Sequence, residues 1–216
     1  MVEPFTNLDP ARIATRLGEV REACGPRVEI LIAGKYVPIG EMGTLVEAGI
    51  KLIGENRLQD LEAKRGEWGD SFEWDFIGAL QSRKVPRVAE QCQRIHSVAT
   101  ESALGRLAAA VQSGKAAPGR PRVLLQVNVS GEPSKAGFEP DRLDEMLEAA
   151  PLPVAGLMTM PPLTAEPEAS RPYFARLAEL AAEHDLAELS MGTSQDWRVA
   201  VAEGATVIRL GAGLLG

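Results

Sequence analysis

The sequence predicts a single (β/α)8 barrel of parallel strands with one extra helix at its N-terminal end. Three observations carry that expectation. Eight short apolar, β-prone runs recur along the 216 residues, helical patterns separate them, and no linker splits the chain in two. Apolar strands alternating with helices indicate a parallel sheet of βα units, and eight such units fit the short end of the barrel range. The competing architecture is an open doubly wound sheet. It usually carries a G-x-G-x-x-G fingerprint after its first strand, which "AGKYVPIGEMG" does not match.

The elements follow in order. "LDPARIATRLGEVREACG" has Asp9 at the N-cap and Pro10 at the first helical position, and Gly25-Pro26 ends the helix. Ile13, Leu17, Val20 and Cys24 share one helical face, which makes this the extra helix. The first strand is "VEILIAGK". Helical "IGEMGTLVEAG" then leads to the strand "IKLIGEN", and "RLQDLEAKRGEW" leads to "FEWDFIGA". "SRKVPRVAEQ" leads to "RIHSVA", and "ESALGRLAAAVQSG", capped by Thr100, leads to "RVLLQVNVS". "DRLDEMLEAA" leads to "PVAGLMTM", a helix from Ser170 to His184 leads to "AELSMG", and "SQDWRVAVAEG" leads to "TVIRLGAG". "GKAAPGRP" and "PPLTAEPEAS" are expected to be long loops within one domain spanning residues 1–216.

Composition removes several function classes. Apolar residues make up 45% and charged residues 25%, the proportions of a soluble globular protein. A formal net charge of −7 supplies no basic field for nucleic acid or an anionic membrane, so any phosphate-bearing ligand needs a local site. Cys24 and Cys92 lie far apart with no C-x-x-C spacing, so neither a disulfide framework nor a zinc ribbon is expected, and both are expected to be buried packing residues. With only His96 and His184, a His-rich metal centre is not expected. "MVEPFTNLDP" lacks the regions of a signal peptide, and no run is long enough to span a membrane. The expectation is a cytoplasmic protein.

A parallel barrel places its active site at the C-terminal ends of the strands. Read in order, those ends offer Lys35; Glu55 and Asn56; Gly78 to Gln81; His96 and Ser97; Asn128, Ser130 and Lys135; Met158 and Thr159; Gly192, Thr193 and Ser194; and Arg209, Gly211 and Gly213. Phosphate sites in such barrels are often built after strands seven and eight. There "MGTSQDW" offers Ser194 as a helix N-cap with free backbone N–H groups, and the glycines of "RLGAGLLG" allow a phosphate to approach the backbone. A lysine at a strand end in a partly dry pocket loses hydration and becomes nucleophilic, which suits a Schiff base; otherwise it snorkels to solvent. Lys35 beside a phosphate site points to a phosphorylated sugar or to pyridoxal phosphate. Arg209 shares a strand face with Val207 and needs an acceptor, either the ring nitrogen of a cofactor or a carboxylate such as Glu55.

The segments "AGKYVP", "IGENRLQD", "WDFIGALQSRK", "IHSV", "LLQVNVSGEPSKAGF", "GLMTMP", "LSMGTSQDW" and "VIRLGAGLLG" run in order from Ile30 to Gly216. They resemble the successive signatures of the pyridoxal-phosphate homeostasis protein family, also called the YggS/PROSC family. The resemblance implies a single barrel similar to the N-terminal domain of alanine racemase, with pyridoxal 5′-phosphate bound to Lys35 as an internal aldimine. It implies that Thr193, Ser194 and nearby backbone, with Gly211 and Ala212, hold the phosphate, that Arg209 faces the pyridine nitrogen, and that Asn56 and Met158 line the pocket. An arginine at the ring nitrogen makes a poor electron sink, which suits a carrier that buffers or delivers the cofactor to apo-enzymes, with little catalysis of its own. A racemase or lyase using the same lysine is the alternative. It needs a second acid/base, and the two tyrosines, Tyr36 and Tyr173, are not expected at the mouth. A monomer without nucleic-acid or membrane partners is expected, the last two from the net charge and the absence of a long apolar run. The sequence departs from the family pattern at Gly34 and Ala79, where serine and histidine are usual, at Gln195, and in "GAGLLG", which lacks a threonine and a bulkier apolar residue and so leaves the phosphate more to backbone N–H groups and Thr193.

Overall fold

A computed structural model of the chain describes residues 4–115, 120–150 and 152–216. Residues 116–119 of the expected loop "GKAAPGRP" and the first three residues of "MVEPFTNLDP" lie outside those described. The strands are β1 (Glu29–Ala33), β2 (Leu52–Glu55), β3 (Glu73–Phe76), β4 (Arg94–Val98), β5 (Arg122–Gln126), β6 (Val154–Met158), β7 (Glu188–Thr193) and β8 (Val207–Leu210). All pair in parallel in chain order, and β8 returns to β1 in the register Glu29↔Val207 through Ile32↔Leu210, so the barrel closes. Seven strands fall inside the runs that predict them, and β7 extends one residue beyond its run, to Thr193.

The helices are α1 (Pro10–Cys24), α2 (Met42–Glu47), α3 (Leu58–Trp68), α4 (Val85–Gln91), α5 (Glu101–Gln112), α6 (Leu143–Ala149), α7 (Arg171–Glu183), α8 (Trp197–Ala202) and α9 (Ala212–Leu215). In α1, Asp9 Oδ1 accepts from the amides of Ala11 and Arg12 at 2.9 and 3.2 Å, and Gly25, at φ 75°, ends the helix. Ile13 and Leu17 are buried, and Arg16 ties this helix to the chain end through the carbonyls of Leu214, at 3.1 Å, and Gly216. Cys92 is buried as expected, whereas Cys24 is only half-buried, because the last turn of α1 reaches the rim of the core. The short helix α9 was not expected within a glycine-rich stretch. No helix among the described residues is long and apolar enough to cross a membrane.

Strand alternation sorts the barrel into two environments. Outward residues such as Ile32, Ile53, Trp74, Ile95, Leu125, Leu157 and Ile208 join the helices in one continuous apolar core. Inside the barrel, Leu31, Leu52 and Val207 form a separate small cluster. The rest of the interior is unusually polar for a fold whose centre is commonly filled by branched apolar residues. Arg94 on β4 reaches Glu29 on β1 and Glu188 on β7, and His96 on β4 reaches Ser190 on β7. Those strands are not neighbours, so the bonds cross the barrel's centre.

Candidate functional site

Where β1 ends, a single 3-10 turn, Gly34–Tyr36, carries Lys35 to the mouth of the barrel. The Lys35 side chain is exposed, so the expected loss of hydration does not occur there. Its Nζ lies 4.7 Å from the centroid of the Tyr36 ring, over the π face. Tyr36 lines the cavity beneath, contrary to the expectation that neither tyrosine stands at the mouth. The same 3-10 turn that projects Lys35 brings its neighbour inward. Phe5 packs edge-on against Tyr36 at 6.4 Å and donates its amide to the Tyr36 carbonyl at 2.8 Å, so the N-terminal segment forms one wall.

The cavity has a volume of about 330 Å³. Lys35, Asn56, Thr193, Ser194, Arg209, Gly211 and Ala212 all line it. Met158 does not: it is buried in β6, and Met160, one pleat further on, lines the cavity in its place. The period of two was the signal for that shift. Several other expected mouth residues are occupied elsewhere. His96 points into the barrel's interior, Ser97 donates to the Gly78 carbonyl, and Asn128 braces its own loop through Glu132 and Ser130.

Ser194 is not a helix N-cap. α8 starts three residues later at Trp197, because Asp196 organises the turn. Its Oδ1 accepts from the Thr193 amide at 2.7 Å and from the Thr193 hydroxyl at 3.1 Å, and its Oδ2 accepts from Ser170. The Ser194 Oγ instead accepts from the amides of Gly211 and Gly213, both at 3.1 Å. Two backbone donors thus converge on one point between the β7 and β8 loops. The loops can meet because residue 213 is glycine: a Cβ there would sit 2.9 Å from the Ser194 Cβ. Asn56 Oδ1 is buried and has no hydrogen-bond partner among the described residues. Its backbone carbonyl lies against Gly78, where a Cβ would come within 1.9 Å.

Arg209 is buried on β8 and donates to Ser190 Oγ at 2.6 Å and to the Thr159 carbonyl at 2.9 Å, with Met160 Sδ also at 2.9 Å. Burial lowers its guanidinium to about 10, partly opposed by the charge of Asp196. Glu55 is not its partner. That carboxylate faces outward from β2 and pairs with Lys64 of α3 at 2.6 Å, both side chains buried. Lys64 Nζ also donates to the Gly34 carbonyl at 2.7 Å, immediately before Lys35. Burial pushes the Glu55 carboxyl up against the pull of the Lys64 ammonium. A Cβ on residue 34 would lie 2.2 Å from Glu55 Oε1, which is the physical reason for glycine at that departure from the family pattern. Sequence reasoning missed Lys64, although Leu58, Leu61 and Lys64 make a buried stripe in α3 in which a lysine is out of place.

A closed parallel barrel with a lysine just past its first strand and an arginine on its last has an alanine-racemase-like fold. In fold it is similar to an alanine racemase of Clostridium difficile, with a TM-score of 0.73 and 11% identity over 96% of this chain and 57% of that one. More narrowly, the chain belongs to the pyridoxal phosphate homeostasis protein family. It is 39% identical over 219 residues to the pyridoxal phosphate homeostasis protein of Pseudomonas aeruginosa, covering 95% of this chain and 93% of that one. It is also similar to the solved structure of PipY from Synechococcus elongatus with pyridoxal phosphate bound, at a TM-score of 0.81 and 34% identity over 94% of this chain and 100% of that one. No protein-family model matches the chain.

Proposed function

We propose that this chain binds pyridoxal 5′-phosphate in the mouth cavity, holds it covalently through Lys35, and buffers it or delivers it to apo-enzymes without strong catalysis of its own. The observation that carries this reading is the set of polar groups gathered around one cavity: the Lys35 amine, the Arg209 guanidinium, and Ser194 with the backbone of Gly211 and Ala212. The fit is chemical as well as spatial. Asn56 Oδ1 is an orphaned buried polar atom, and Ile77, Ala33 and Met160 supply apolar wall for an aromatic ring. The cofactor supplies an aldehyde that condenses with a lysine amine with loss of water, and a ring that can withdraw electrons only as far as its nitrogen is protonated.

The residues divide the remaining work. The Gly211 and Gly213 amides fix the Ser194 Oγ as an acceptor and so leave its hydroxyl proton to donate to a phosphate, with Ala212 at the loop edge and Thr193 held by Asp196 beneath. Arg209, presenting N–H groups only, favours an unprotonated ring nitrogen and so a weak electron sink. That supports holding over turnover; transient hand-over to apo-enzymes by a cytoplasmic monomer is the rest of the proposal. Tyr36 favours a second reading, a racemase or lyase on the same lysine, since a phenol stands in the cavity beside Lys35.

The test is the visible spectrum of the purified protein with added pyridoxal phosphate, before and after borohydride, for the wild type and Lys35→Ala. The expected result is a visible band in the wild type alone, converted by borohydride to a cofactor fixed on Lys35 by peptide mass. A wild type that stays colourless and takes up none of the cofactor overturns both readings. Sustained racemisation of D- or L-amino acids selects the second.

A further inference from the structure

Arg209 is held by a chain of side chains that continues away from the cavity. Its NH1 group meets Ser190 Oγ at 2.6 Å, Ser190 Oγ meets His96 Nδ1 at 2.7 Å, and His96 Nε2 meets Asp75 Oδ2 at 2.9 Å. Asp75 Oδ2 also accepts from Arg94 Nε at 2.9 Å, and Arg94 reaches on to Glu29 and Glu188. His96, Asp75, Ser190 and Arg94 are all fully buried.

The donors along this chain can be assigned one way. Asp75, fixed by the Arg94 guanidinium, accepts, so His96 carries its proton on Nε2. Burial lowers His96 below its ordinary value and keeps the ring neutral, with Asp75 pulling the other way and Arg94 and Arg209 reinforcing the effect. Nδ1 is therefore an acceptor, and the Ser190 hydroxyl donates to it. That turns the Ser190 lone pairs toward Arg209, which needs an acceptor there. Every dipole points the same way, from the guanidinium at the mouth to the carboxylate inside. No carboxylate pairs directly with Arg209 among the described residues, so this chain is its link to a negative charge.

We propose that His96 and Ser190 are positioning residues for Arg209: they fix the plane of the guanidinium toward the cavity so that it holds the ring nitrogen of the bound cofactor in its unprotonated, accepting form. This rests on the assignment of pyridoxal phosphate to the cavity. Neither residue touches the cavity, and each acts only through Arg209.

Ser190→Ala removes one hydroxyl and breaks the chain at its centre. His96→Asn keeps a polar atom where Nδ1 stands, and His96→Leu removes both bonds. For each variant and the wild type, pyridoxal phosphate affinity is measured by titration of the visible band, and that band is followed across pH, with the melting curve of the cofactor-free protein as a check on folding. Ser190→Ala and His96→Leu are expected to bind the cofactor roughly tenfold more weakly, since each leaves a buried group unpaired next to Arg209. Both are also expected to shift the pH midpoint of the band, while His96→Asn keeps it near the wild-type value. A folded Ser190→Ala protein with wild-type affinity and an unmoved midpoint overturns the proposal, whatever the His96 variants do. A wild type that takes up no pyridoxal phosphate overturns the cavity assignment instead, so the two failures are distinct.

Discussion

At the scale of single residues, the least legible group is Lys64. Nothing in its spacing from Glu55 announces a pair, because the contact joins a strand end to the second turn of the following helix. The sequence instead offers Glu55 as a partner for Arg209, since both stand at strand ends. The structure separates them by parity: Glu55 faces the helices and Arg209 the interior. Replacing Lys64 with methionine leaves a carboxyl buried without its cation and frees the Gly34 carbonyl. Lys64→Met is expected to cost about 3–5 kcal/mol of unfolding free energy in a urea titration. The double variant Lys64→Met, Glu55→Leu is expected to recover most of that loss. A single variant within experimental error of the wild type would show that the pair does not support the turn carrying Lys35.

At the scale of elements, the strands were the most legible part, because apolar runs of four to six residues flanked by turn residues have few other solutions. The helix after β7 starts two residues later than its sequence pattern indicates, with Asp196 and not Ser194 at its N-cap. "SMGTSQDW" offers a serine and an aspartate as competing caps, and the backbone resolves the choice in favour of a turn closed by Asp196. That turn frees Ser194 to meet the β8 loop, a contact between distant segments that no local pattern records. Asp196→Ala removes the acceptor of three hydrogen bonds, and about 1–3 kcal/mol of stability is expected to go with it. Amide exchange should quicken first at Thr193 and in α8. Unchanged protection there would mean that the turn is set by Gly192, at φ 88°, without the carboxylate.

At the scale of the whole molecule, the polar interior has a pH consequence. His96 is neutral in the native barrel and protonates below its ordinary value, whereas in the unfolded chain it takes a proton near pH 6.5. Below that pH the unfolded state binds more protons, so native stability falls as pH falls, by up to about 1.4 kcal/mol per pH unit for one such group. Glu55, raised by burial, acts with the opposite sign above the ordinary carboxylate range. Comparison with His96→Gln isolates the histidine: its melting temperature is expected to depend less on pH as pH falls below about 6.5 than that of the wild type. Equal slopes would show that His96 gains its proton without unfolding. The barrel and the lysine, arginine and glycine positions were legible because they follow from strand order. The interior network was not, since it depends on which strands face one another across a closed sheet.

The N-terminal wall of the cavity has one more consequence. Phe5 packs edge-on against Tyr36, and a Cβ on Gly216 would come within 4.0 Å of the Phe5 ring, so two segments from opposite ends of the sequence meet at the barrel mouth. Such proximity suits circular permutation. A short peptide joining these segments, with new ends opened in the turn between α3 and β3 at Gly69–Ser71, leaves all eight strands uncut. The permuted chain would carry its fusion partners away from the cavity and its linker directly above it.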